Sequence, residues 1–207
     1  MKCGNVSIMG RPNVGKSTLL NALLNIKLAI TTDKAGTTRN IIEGIYQDSE
    51  SQIVFIDTPG IHKPLNKLGN LLNKKAYQNI DNADIILLVI DASTGFGKGD
   101  KFILDKIKEN EEAKVFLVLN KVDKVNNAEL LKLITSVKDL YDFKEIIPIS
   151  ALKGQSLNDL LNTIKKYLEE REPLFAEDEL TNVSTRFIMS EFVREKAMML
   201  TKQEIPH

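Results

Sequence analysis

Short, largely apolar runs alternate along this chain with stretches in which apolar residues recur three or four positions apart. Val6-Ser7-Ile8-Met9, Ile85-Ile86-Leu87-Leu88-Val89-Ile90 and Val115-Phe116-Leu117-Val118-Leu119 read as strands. The last two are apolar at every position, as expected of parallel strands covered on both faces. Helical spacing predicts helices over 18–24, 101–108, 128–140 and 157–167, a weak one over 71–80, and a further strand over 145–149. Residues 41–46 and 52–56 are strands joined by Gln47-Asp48-Ser49-Glu50-Ser51, short enough for an antiparallel hairpin. Residues 31–40 and 61–73 show neither period and read as loops. The alternation predicts an α/β fold: a three-layer, mostly parallel sheet with one antiparallel edge hairpin and right-handed crossovers. Chemistry is then expected at the C-terminal ends of the strands.

The pattern changes near residue 170. Glu169-Glu170-Arg171-Glu172-Pro173 opens an acidic, proline-broken stretch that reads as a linker. Beyond it, 186–200 has helical character, with Phe192, Val193, Ala197 and Leu200 on one face and Met189, Met198 and Met199 expected as core filler. A lone helix cannot build a core. The stop at Ile205-Pro206-His207 is therefore expected to be a truncation.

Composition narrows the class. The 207 residues are 43% hydrophobic, with no Trp, which suits an aliphatic α/β core of one good-sized domain and part of a second. Lys and Arg number 28, as do Asp and Glu, so no global field draws the molecule toward nucleic acid. The single cysteine, Cys3, has no internal disulfide partner and is expected half-buried at the start of the first strand. No signal peptide or long apolar run is present, and a cytoplasmic protein is expected.

Four motifs carry the chemistry, each expected directly after a strand. Gly10-Arg11-Pro12-Asn13-Val14-Gly15-Lys16-Ser17, with Thr18 opening the helix behind it, fits the phosphate-cradling loop G-x-x-x-x-G-K-[ST]. A glycine-bounded turn lets backbone N–H groups converge on phosphate oxygens at the positive end of a helix. Lys16 is placed to reach the β- and γ-phosphates, and the Ser17 hydroxyl to ligate Mg²⁺. Asp57-Thr58-Pro59-Gly60 follows one hairpin later. Asp57 is placed to hold Mg²⁺ through water, and the Gly60 N–H to face the γ-phosphate.

Asn120-Lys121-Val122-Asp123 bears on the base. An ionised carboxylate only accepts hydrogen bonds. Guanine offers it two adjacent donors, whereas adenine offers a bare lone pair. Sites that demand such donors discriminate by about 10⁴–10⁵. Ser150-Ala151-Leu152 is expected to close over the base with a backbone N–H to O6. Any one motif is an ordinary polar loop by chance; all four in this order indicate a guanine-nucleotide site.

The set G-R-P-N-V-G-K-S, T-T-R, D-T-P-G, N-K-V-D and S-A-L resembles bacterial translation-factor-class GTPases of the branch that holds the Era, EngA and TrmE families. Asp57-Thr58-Pro59-Gly60-Ile61-His62, Ser184-Thr185-Arg186-Phe187 and Ser190-Glu191-Phe192-Val193-Arg194-Glu195-Lys196 are most similar to the Era family. The resemblance implies a G domain over 1–170, a linker over 171–185, and the start of an α+β KH domain over 186–207. It implies a GTP- and GDP-binding, Mg²⁺-dependent GTPase that assists small ribosomal subunit assembly by binding ribosomal RNA. A monomer with peripheral contact with the inner face of the cell membrane is part of the same expectation. Residues 173–207 carry four Lys/Arg against six Asp/Glu, so RNA binding follows from the family and not from their charge.

The resemblance also assigns the loop at Thr37-Thr38-Arg39 as switch I, with Thr38 expected to complete the Mg²⁺ shell only when γ-phosphate is present. Ile61 stands where Ras-type enzymes use glutamine to orient the attacking water, and it has no donor or acceptor. In potassium-activated relatives an asparagine placed like Asn13 helps hold K⁺ at the phosphates, and the same role is expected here. Asp33, Lys34, Arg39 and His62 are expected to be solvated loop residues rather than catalytic ones. Two other readings stay open: an ATP-using P-loop enzyme, which Asp123 opposes, and a guanine-nucleotide-gated RNA-binding adaptor with negligible hydrolysis. A tRNA-modifying or two-G-domain relative would need parts that this chain lacks.

Overall fold

The computed structural model describes residues 1–32, 37–38, 40–61, 82–110 and 112–201. Strands β1 (Lys2–Met9), β2 (Ile42–Gln47), β3 (Ser51–Asp57), β4 (Ile85–Asp91), β5 (Lys114–Asn120) and β6 (Glu145–Pro148) lie in the order β2-β3-β1-β4-β5-β6. All neighbours run parallel except β2, the edge strand of the predicted hairpin. The strand order reverses at β1, which places the loop after it at the crevice where α/β sheets take ligands.

Helices cover both faces. Residues 85, 87 and 89 of β4 point toward α1 (Lys16–Leu24) and α4 (Leu157–Tyr167). Residues 86, 88 and 90 point toward α2 (Lys98–Ile107) and α3 (Asn127–Val137). This two-sided burial is why β4 and β5 read as unbroken apolar runs. Helix α2 starts three residues earlier than its apolar period suggests. The Asp100 carboxylate accepts from the Gly97 N–H at 2.9 Å, and Gly99 sits inside the helix, where a Cβ would come within 2.6 Å of Arg11 Cδ. Helix α3 is closed by a reciprocal Asn126–Glu129 capping box. The weak helix expected over 71–80 lies outside the described residues.

Several expectations are corrected. The first strand begins at Lys2, and Cys3 is fully buried, because β1 is central and pairs along β3 from its first residue. Glu169–Glu170 forms a two-residue strand, β7, antiparallel to the start of β1. Part of the stretch expected as a linker contacts the sheet, at the start of β3 and along β2. Gln52, fully buried, accepts from the Leu174 and Phe175 N–H groups at 2.7 and 3.0 Å and donates to the Phe175 carbonyl. The Ile45 N–H donates to Leu180 O, and Thr181 Oγ1 to Glu43 O. An edge strand presents unpaired backbone groups; here Leu180 and Thr181 satisfy two of those on β2.

Helix α5 (Thr185–Leu200) does not bury the face that apolar spacing selects. Val193 and Leu200 are 71% and 81% exposed, and Met189 and Met199 are exposed too. The docked side carries Phe187 and Ile188 against the core, together with buried Glu191 and Glu195. Charged residues hold this face because Glu195 is paired by Lys27 and the Thr31 N–H of the facing chain and Glu191 by Arg194 of the same helix, a pattern that hydropathy cannot register.

Replacing Gln52 orphans two N–H groups near a buried edge. Gln52→Ala is expected to lower stability by about 1–3 kcal/mol in urea unfolding and to raise protease cleavage within 171–185.

Candidate functional site

The phosphate loop grows from the end of central β1. Asn13 and Gly15 have φ of 65° and 98°, a left-handed pair that turns the chain tightly into α1. Gly15 has no substitute: a Cβ there would lie 2.4 Å from Asn120 Nδ2. The first turn of α1 has no acidic residue and no side-chain cap, so its N–H groups and helix dipole favour an external anion. Lys16 Nζ donates to the carbonyls of Gly10 and Arg11 at 3.0 and 2.9 Å. Burial lowers its pKa to about 8, against the pull of Asp57.

Three oxygen-bearing side chains meet beside it. Ser17 Oγ donates to Asp57 Oδ2 at 2.7 Å and lies 3.0 Å from Thr38 Oγ1. Asp57 is fully buried, and its Oδ1 has no hydrogen-bond partner. Burial raises the Asp57 carboxyl to about 6, opposed by Lys16, Ser17 and Thr38. Two hydroxyls and a carboxylate with an unsatisfied buried oxygen fit Mg²⁺, a hard cation that takes oxygen ligands and completes its shell with waters and phosphates.

At the other end, the Asn120 amide joins two loops. Its Nδ2 donates to Val14 O at 2.9 Å, and its Oδ1 accepts from the Ala151 N–H at 3.0 Å. Lys121, at φ 65°, donates to Asn13 O at 2.6 Å and pairs with Asp91 at 2.7 Å. Asp123 is exposed and accepts from Ser150 Oγ at 2.5 Å, and the Val122 N–H donates to Ile149 O. Leu152 is 73% exposed at the rim. The Ala151 N–H already serves Asn120, so an O6 contact through it is a shared one. Pro12, Lys16, Ser17, Thr38, Gly60 and Asp123 line one cavity of about 710 Å³.

Not every motif residue faces that cavity. The Arg11 guanidinium pairs with Asp100 at 2.8 Å and reaches Thr94 and Gly95, tying the phosphate loop to α2. Thr58 Oγ1 donates to Ile8 O, and Val14 and Ile61 are core residues. Gly60 packs on Pro12 so closely that a Cβ would meet its backbone at 2.8 Å. Pro59 is buried beside it, and Thr18 lines the cavity from the first turn of α1. Asp91, which seats Lys121, was missed by sequence reading; its signal was an acidic residue ending a buried strand. Its carboxyl stays below the ordinary range because Lys121 and Ser93 outweigh its burial. Asp33, Lys34, Arg39 and His62 lie outside the described residues.

A phosphate loop on the central strand, a buried aspartate with two hydroxyls, and an exposed aspartate at the base end define a P-loop nucleotide-binding protein of the GTPase class. Residues 5–121 match the family of 50S ribosome-binding GTPases. The chain is 47% identical over all its 207 residues to GTPase Era of Leuconostoc citreum (strain KM20), spanning 68% of that protein. It also superposes on a crystal structure of Era in complex with MgGDPNP and nucleotides 1506–1542 of 16S ribosomal RNA. That match has a TM-score of 0.94 at 47% identity over 100% of this chain and 70% of the other. A variant Era of Aquifex aeolicus bound to GDP and AlF₄⁻ matches with a TM-score of 0.93 at 46% identity, with the same coverage. This chain belongs to the Era family of GTPases.

Because burial raises the Asp57 pKa, the fold holds this proton more tightly than the unfolded chain does. The group favours folding below the ordinary aspartate range, and that contribution is lost as pH rises through about 6. Mg²⁺ competes with the same proton. Calorimetric titration at pH 5.5 is expected to show Mg²⁺ affinity weaker by roughly fourfold than at pH 7.5.

Proposed function

We propose that this chain is a Mg²⁺-dependent GTP-hydrolysing switch that assists small ribosomal subunit assembly. In this reading residues 1–170 form the G domain, 171–185 join it to the next part, and 186 onward begins an RNA-binding KH domain. The observation that carries it is Asp123, an exposed carboxylate held by Ser150 at one end of a cavity whose other end holds Lys16 and Ser17. A carboxylate there pairs with the two donors of guanine and repels adenine. The relative solved with MgGDPNP and a 16S ribosomal RNA segment supports the RNA partner. The protein acts as a cytoplasmic monomer with peripheral contact with the membrane; among the described residues, no helix is long and apolar enough to cross one.

When bound, Mg²⁺ would be held by Ser17, Thr38 and, through water, Asp57, and would offset the charge that develops on the β- and γ-phosphate oxygens. Lys16 exchanges its two loop carbonyls for phosphate oxygens, and its lowered pKa reflects a site that wants such an anion. The N–H groups of residues 13–18 orient the phosphates, and the Gly60 N–H faces the γ-phosphate. Ile61 is fully buried among core residues such as Met9, so its side chain does not orient water. Hydrolysis by the chain alone is accordingly slow. The same observation favours the second reading, a nucleotide-gated adaptor with negligible hydrolysis; phosphate release measured without any partner separates the two. Asn13, at the tip of the loop, is proposed to help hold K⁺ where an arginine finger would sit.

Asp123→Asn is expected to weaken GTP by about a hundredfold or more and to move preference toward xanthosine triphosphate in competition binding. Wild-type chain that takes ATP as tightly as GTP would refute the guanine assignment. Asn13→Ala is expected to erase the difference in turnover between potassium and sodium buffers. An unaltered ratio removes the K⁺ role.

A further inference from the structure

Helix α5 reaches the nucleotide cavity that sequence reading built from the G domain alone. Its docked face presents two charged residues, Arg194 and Glu195, to the segment that carries Thr38. Glu195, 1% exposed, accepts from the Thr31 N–H at 2.9 Å and pairs with Lys27 at 2.5 Å. Arg194 Nη2 donates to the Thr37 carbonyl at 2.6 Å, and its guanidinium is held in place by Glu191 at 2.9 and 2.5 Å. Lys27 also lies over the Phe192 ring, 5.4 Å from its centroid. One turn further on, Met198 and Met199 line the same cavity as Lys16 and Asp123, and Arg194 Nη1 touches Met198 Sδ at 3.5 Å.

The residue after Thr37 is Thr38, whose hydroxyl lies 3.0 Å from Ser17 Oγ in the Mg²⁺ cluster. A charge-assisted bond on the carbonyl of one residue restrains the peptide plane that leads into the next. The clamp is therefore one peptide away from a metal ligand. A buried glutamate is costly unless paired and hydrogen-bonded. Glu195 is both, and each of its partners belongs to the chain entering this loop. Against burial, which pushes it up, Lys27 and the Thr31 N–H hold its carboxyl below the ordinary range.

We infer that Arg194 and Glu195 are positioning residues for nucleotide binding: α5 is a fixed wall of the site that holds Thr38 in reach of the metal. This rests on the guanine-nucleotide reading above and adds to it a specific linkage. A ligand that needs Thr38 in place stabilises the docked helix, and undocking α5 weakens that ligand by the same factor. On the reading that Thr38 completes the metal shell only when γ-phosphate is present, the linkage acts on Mg²⁺·GTP and spares GDP.

The test uses the whole chain with fluorescent GDP and a non-hydrolysable GTP analogue in Mg²⁺. Arg194→Ala is expected to weaken the GTP analogue about tenfold, the loss of one charge-assisted bond, and GDP by less than about twofold. Arg194→Lys, which keeps a donor for Thr37, restores part of the loss. In a Thr38→Ala background the Arg194→Ala effect on the GTP analogue disappears, an outcome that a merely structural role would not produce. Equal losses for both nucleotides, or an undiminished loss in the Thr38→Ala background, overturn the inference. Glu195→Gln keeps an acceptor for the Thr31 N–H and provides a second, milder variant with the same expected asymmetry. Wild-type chain that binds neither guanine nucleotide refutes the earlier reading instead.

Discussion

The side-chain amide of Asn120 is the tie on which the site's geometry depends. Buried between two loops, it donates its N–H to the Val14 carbonyl and accepts the Ala151 N–H on its own oxygen. Both loops follow parallel strands. Removing the amide leaves a donor and an acceptor unpaired in a dry setting, where each costs about 1–3 kcal/mol. The tie also dictates a neighbour: with the amide this close, position 15 tolerates no Cβ. Phosphate loop and base loops thus behave as one piece, and Lys121 and Asp123 take their positions from it.

A second constraint is the charge kept beneath that piece. Lys16 and Asp57 are both buried, and burial drives both pKa values toward neutrality while each opposes the other's shift. The arrangement leaves one Asp57 oxygen unsatisfied and leaves Lys16 on backbone carbonyls. Such a pair is poorly compensated by the protein alone. A polyanion with a divalent cation completes it, supplying negative charge to the lysine and a positive partner to the aspartate. Ile61 is packed into the core, so its side chain adds no polar group to this site.

The C-terminal segment shows how stability and function come to share residues. Segment 171–185 runs across the start of β3, where it bonds the Gln52 amide, and along the open edge of β2, where it makes backbone bonds. That path delivers α5 to the mouth of the nucleotide cavity. There the helix docks through charges rather than through the apolar stripe visible in its sequence. Contacts of this kind are specific in register and modest in net energy. They suit an element that responds to the state of a neighbouring loop.

What the chain's order of residues determined by itself is whatever is encoded in contiguous segments. The two-sided apolar runs of β4 and β5, the 41–46/52–56 hairpin and the loops 10–17, 57–60, 120–123 and 150–152 are each local in sequence. Backbone conformation and side-chain chemistry sufficed to read them. Tertiary structure alone decided which motif side chains face the ligand and which brace the fold. Arg11 turns to Asp100, Thr58 to Ile8, and Asp91 to Lys121. It also decided the fate of α5, whose seat depends on a pairing between Lys27 and Glu195 across 168 positions. Hydropathy scores a buried glutamate as a surface residue. Only the packed structure brings up the lysine and backbone N–H that let it be buried.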